Sequence, residues 1–130
     1  MGLNLLFVFL GGGTGAISRF LLSETSHFLF KTSRFGTFTV NILGCLAVGY
    51  LLGMTLMWQH SLSPRTKLFL EIGFLGGFTT FSTFSKEAIE LLLQGRFLHA
   101  AVYLSGTLSL GLLLTFGGLY LAQLQTKLLQ

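Results

Sequence analysis

The stretch "GGFTTFSTF", residues 76–84, sets phenylalanines and hydroxyl side chains close together inside an otherwise apolar segment. Phe78, Phe81 and Phe84 recur at three-residue intervals, which on a helix makes one drifting stripe. Ser82 and Thr83 lie between two of the rings, and Thr79 and Thr80 precede them. An aromatic ring has a negative face and a positive edge, so ring edges beside hydroxyl donors suit an anion and ring faces suit a cation. The pattern describes an ion-binding stripe and leaves the sign of the ion open. Gly76 and Gly77 adjoin just before it, and each costs a helix about 1 kcal/mol relative to alanine. A break at these glycines frees backbone carbonyls in mid-membrane, where unwound carbonyls commonly hold sodium. A continuous helix with a glycine packing face is the alternative, and residue type alone does not choose between them.

Asn41, in "GTFTVNILG", is the other polar group deep in an apolar run. It either ties two helices together or donates its amide to a permeant anion. Tyr103 and Thr107 are four apart and share a helix face, and Ser105 and Ser109 share another. Such hydroxyls often bond back to their own helix. Arg19 closes the first apolar run, and Glu87 follows the aromatic stripe by one turn, beside Lys86. These charges either anchor at the interface or form a vestibule for ions. His27, His60 and His99 sit in or beside loops and read as polar residues at headgroup level. The single cysteine, Cys45, excludes an intramolecular disulfide and reads as a small packing residue beside Gly44. There is no paired carboxylate, no nucleophile with a base and no ligand cluster, so an enzyme is the least supported class.

The elements that position these groups follow from composition. The 130 residues make one domain, 52% hydrophobic and only 9% charged, against roughly 25% charged in a soluble domain. Lipid is the natural solvent for this chain. Four apolar spans can be drawn, at residues 4–22, 36–58, 68–93 and 98–124, each long enough to cross hydrocarbon as a helix. The segments "SETSHFLFKTSR", "QHSLSPRTK" and "QGR" read as short connections, with Pro64 marking a turn before the third span. The start "MGLNLLFVFL" lacks a basic n-region and a cleavage site, so it reads as a retained helix. Seventeen glycines fit helices packed at close approach. The net charge of +4 fits contact with anionic headgroups, and no basic cluster beside exposed aromatics points to nucleic acid.

Orientation is nearly undetermined. With four spans, Arg65, Lys67 and Lys127 lie on one side of the membrane, opposite Lys31, Arg34 and Arg96. Three basic residues against three give the positive-inside rule little to act on. Insertion in both orientations allows an antiparallel dimer. A four-helix chain is also small for a pathway without a partner copy.

The segments "GGGTGAISRF" (11–20), "GTFTVNILG" (36–44) and "GFLGGFTTFSTFSKE" (73–87) resemble the Fluc (CrcB) family of fluoride channels, over essentially the whole chain. The resemblance implies an all-α integral membrane protein of the cell inner membrane or plasma membrane. Its four transmembrane helices, the third broken near its middle, pair as an antiparallel, dual-topology homodimer. Each dimer would carry two pores that export fluoride passively and reject chloride. The partners implied are a second copy, fluoride and membrane lipid, with no nucleic acid. A structural sodium ion and no organic cofactor are implied, the sodium held by the backbone carbonyls of Gly76 and Thr79. Phe81 and Phe84 correspond to the pore-lining rings and Asn41 to the pore asparagine. Ser82, Thr83 and Tyr103 fall on the polar track, and Arg19 and Glu87 match charges near the pore ends. Thr107 stands where the family often has serine, and Phe20 where it often has tyrosine. The competing transport class is a small dual-topology multidrug transporter. It calls for an acid inside the first span, where the nearest carboxylate, Glu24, lies past Arg19.

Overall fold

The computed structural model describes residues 1–57 and 62–128, so the expectations for Trp58 and His60 fall outside the described residues. Helix α1 covers Gly2–Phe30, α2 Arg34–Met57 and α6 Phe97–Leu128. Between them the third span is composite. It runs through α3 (Pro64–Lys67), a π-helical segment (Leu68–Leu75), α4 (Gly76–Phe78) and α5 (Phe81–Leu93). The long helices α1, α2 and α6 are apolar enough to cross a membrane. They leave large side chains such as Phe9, Phe20, Leu112 and Phe116 exposed on their outer faces, as lipid contact requires.

The first span outruns its sequence bounds. Helix α1 has 29 residues, about 44 Å at 1.5 Å per residue, against roughly 30 Å of hydrocarbon. The part of the first connection up to Phe30 is therefore helical. No glycine or proline interrupts residues 16–30, and the helix stops only where Lys31 turns left-handed (φ 57°) and its N–H bonds the His27 carbonyl at 2.9 Å. Ser26 then ties the turn down, donating to the Thr32 carbonyl (2.8 Å) and accepting from the Gly36 N–H (2.9 Å). At the second connection Ser63 caps α3 by accepting the Thr66 N–H, with Pro64 at the first helical position. At the third, Gly95 (φ +70°) closes α5: its N–H bonds the Leu92 carbonyl and that of Arg96 bonds Leu91, a Schellman turn.

Two pairs of helices pack in parallel at glycines. Along α1 and the third span, a Cβ on Gly11 would strike the Phe69 carbonyl, and one on Gly15 the Phe74 carbonyl. Along α2 and α6, Gly49 lies against the Thr115 carbonyl and Gly118 against the Leu46 carbonyl. Small residues replace side-chain layers here with backbone-to-backbone contact, the usual device where lipid offers no hydrophobic drive between helices. Gly106 and Gly117, by contrast, have nothing within 4 Å of such a Cβ.

Candidate ion pathway

The third span does break, but not at its glycines. Gly76–Phe78 is still helical, and the extended residues are Thr79 (φ −82°, ψ 157°) and Thr80 (φ −152°, ψ 109°). Gly77 serves packing instead, because a Cβ there would meet the Gly12 carbonyl. Asn41 on α2 holds the break open: its Oδ1 accepts the Thr80 N–H at 2.8 Å and its Nδ2 donates to the Thr80 carbonyl at 3.1 Å. Side-chain amide thus substitutes for helix on both backbone groups of a buried residue. The Thr80 side chain then caps α5, its Oγ1 accepting the Thr83 N–H at 3.2 Å.

These bonds have a consequence for two carbonyls. In an unbroken helix the Thr80 N–H would close onto Gly76, and the Thr83 N–H onto Thr79. Both amides are engaged elsewhere, and among the described residues no backbone bond outside the helices reaches either carbonyl. Gly76 and Thr79 both line an open groove of about 480 Å³. Two unpaired carbonyl oxygens on one groove have the hard-oxygen chemistry that suits a sodium ion.

The same groove gathers Asn41, Phe81, Phe84 and Thr107 from three elements. Phe81 stands 75% exposed at its mouth while Phe84 is buried, so one ring is free to meet an ion or a second chain and the other is fixed. Tilted contacts link Phe81 to Phe84 (5.9 Å between centroids, 48°) and Phe84 to Tyr103 (5.2 Å, 53°). Phe78 does not join this stripe. It does not line the groove but stacks on Phe74 at 5.5 Å, with its ring edge near Gly44 of α2.

The hydroxyls divide into committed and available groups. Thr107 donates to the Tyr103 carbonyl and Ser105 to the Ala101 carbonyl, each at 2.7 Å, leaving only their lone pairs. Thr80 Oγ1 donates to Thr83 Oγ1 at 3.0 Å and lies 3.3 Å from Ser82 Oγ. Thr83 therefore keeps its own proton free. Asn41 likewise uses one of its two amide protons on Thr80 and has a second to offer.

Glu87 is buried at the far end of this track, not displayed at a surface. Its Oε1 accepts from Ser33 (2.9 Å) and Thr37 (3.0 Å), and its Oε2 from Tyr103 (2.7 Å). Ser33 and Thr37 were missed by sequence reasoning. The signal was present for Thr37, which lies four residues before Asn41 and so shares its helix face. Arg19 sits half-exposed on α1, away from the groove, with no bond to another described residue. Glu71, also passed over, lines the groove from the π-helical segment. His27 and His99 are exposed, Cys45 packs against Gly111, and among the described residues no cluster of three or more potential metal-ligating side chains exists. Tyr103→Phe removes one donor from a buried carboxylate, and the expected cost is about 1–3 kcal/mol. It is read as a lower melting temperature in detergent, and an unchanged melt would remove Tyr103 from the network.

A family model described as CrcB-like protein, Camphor Resistance (CrcB), matches residues 6–119. The chain belongs to the CrcB family. A protein of Phocaeicola vulgatus named fluoride-specific ion channel FluC is 42% identical over 122 residues, covering 92% of this chain and 98% of the relative. Proteins of the same name from Gloeothece citriformis (42% over 123 residues; 93% and 98% covered) and Pyrococcus furiosus (38% over 116; 89% and 93%) are similar along nearly their whole lengths. With its apolar spans, the chain is a multi-pass protein of the cell membrane.

Proposed function

We propose that this chain is a fluoride-selective passive channel that exports fluoride, working as an antiparallel dimer with two pores and a central sodium ion. Its role is transport, not catalysis. The observation that carries the reading is the groove at the break, where Asn41, Phe81, Phe84 and Thr107 meet two unpaired carbonyls. Its likeness along almost the full length to proteins named fluoride-specific channels supplies the ion.

The groove is open along one side, and a second copy laid against it in the opposite orientation would close it. Fluoride is small and strongly hydrated, so a pathway must replace its water with several donors and favourable dipoles. The free Asn41 amide proton, the Thr83 hydroxyl and the edges of Phe81 and Phe84 are neutral replacements that hold an anion without trapping it. Ser82 and Tyr103 extend that track toward Glu87, which accepts from Tyr103, while Arg19 stands apart from it on α1. The Gly76 and Thr79 carbonyls of both copies would hold the sodium, which supplies a fixed positive charge beside the anion route. The multidrug-transporter reading wants an acid within the first span, and the only one on α1, Glu24, is exposed beyond Arg19.

The test is efflux from liposomes carrying the purified protein, followed with a fluoride electrode, with chloride as the comparison. Fluoride efflux far above protein-free liposomes, with little chloride movement, is expected. No fluoride efflux overturns the reading.

A further inference from the structure

Glu71 is a carboxylate in an apolar stretch, half-buried, with no hydrogen bond or ion pair to any described residue. Lys67 is one turn earlier, yet the two form no ion pair. An ionisable side chain inside a membrane span is costly, and it is ordinarily retained for a partner. The local winding indicates which partner. In an α-helix, residues five apart point about 140° from each other. Here Leu68–Leu75 is π-helical, and bonds from i to i+5 return the chain to nearly the same face. The Glu71 carbonyl accordingly lies 4.0 Å from where a Gly76 Cβ would stand, and both residues line the groove with Thr79. The π segment thus rotates the one acid of this span that has no partner among the described residues onto the side of the Gly76 and Thr79 carbonyls.

We infer that Glu71 strengthens cation binding at the broken span, its negative charge adding to the Gly76 and Thr79 carbonyls of each copy. This rests on the paired, sodium-holding assembly proposed above. Neutral carbonyls bind sodium through dipoles alone. A full charge a few residues away on the same face of a poorly solvated groove adds a Coulombic attraction that water screens incompletely. The expected signature is affinity for the cation, separate from the anion route, because Asn41, Phe81 and Thr83 keep their arrangement when Glu71 is neutralised.

The experiment measures dimer retention of purified protein in fluoride-free buffer, by exchange between differently labelled copies. Sodium is titrated against choline at constant ionic strength. In the native chain, half-maximal retention should occur at a definite sodium concentration. In Glu71→Gln and Glu71→Thr that midpoint should rise by roughly tenfold or more, with full retention restored at saturating sodium. A sodium-dependent native dimer with unshifted midpoints in both variants overturns the role of Glu71 and leaves the sodium-holding pair standing. A native dimer indifferent to sodium overturns both. Failure of both variants to assemble even at saturating sodium also counts against the inference, since a loss of affinity alone is rescued by more cation.

Discussion

Asn41→Ala should reduce fluoride efflux by at least roughly tenfold and lower the melting temperature, two effects with a single origin. Asn41 is the one side chain that satisfies both backbone groups of Thr80, through bonds of 2.8 and 3.1 Å. Alanine leaves a buried N–H and a buried carbonyl without partners, each costing about 1–3 kcal/mol. The cheapest escape is for the Thr80 N–H to close onto Gly76 and mend the helix. That removes the unpaired carbonyl and turns Phe81 and Phe84 away from their present positions. The second amide proton of Asn41 is lost at the same time, so an anion on this path loses a direct donor as well. Asn41→Asp separates the two contributions. It keeps the acceptor for the Thr80 N–H and so preserves much of the stability, but it places negative charge on an anion route and should conduct no better than alanine. Electrode-measured efflux and a thermal melt on the same preparations check this. Native efflux in Asn41→Ala would show that the break and the pathway are independent.

The second large effect concerns the parallel pair α2 and α6. Gly49→Val or Gly118→Val should cost about 3 kcal/mol or more and deplete the monodisperse protein recovered in detergent. The atoms that a side chain would strike are the Thr115 and Leu46 carbonyls. Backbone cannot rotate away as a flexible side chain can, so the helices must part, carrying Asn41 on α2 away from Tyr103 and Thr107 on α6. Gly117→Ala is the control. Nothing lies within 4 Å of its Cβ position, and alanine is about 1 kcal/mol better in a helix, so stability should hold or rise. Size-exclusion profiles of the three variants make the comparison. Equal behaviour would mean that close approach at Gly49 and Gly118 does not hold the pair together.

Much of the site was legible because its residues are exceptional for their surroundings. Asn41 is an amide in a run that lipid should strip of amides, and the phenylalanine and hydroxyl pattern after Gly77 has no packing rationale in lipid. The glycines misled on the break. A glycine weakens a helix wherever it stands, but Gly77 is needed for contact with Gly12, and that demand comes from another helix. The true break at Thr79 and Thr80 depends on Asn41, 39 residues away in sequence, reaching across to replace the helical bonds. Phe78 shared the sequence spacing of Phe81 and Phe84, yet its period was cut by that same break. Glu87 read as a border charge because its three hydroxyl donors arrive from Ser33, Thr37 and Tyr103, on other parts of the chain.

By itself, the sequence determined the solvent of this protein, its four spans and the residue types able to handle an ion. These follow from composition and local spacing, which every residue carries with it. Only the tertiary structure decided where the third span opens, which carbonyls are unpaired, which hydroxyls retain a proton and which way Glu71 faces. Each depends on hydrogen bonds between distant residues or on a π register, and a bond made across helices at membrane depth overrides the local preference because lipid offers the backbone no other partner.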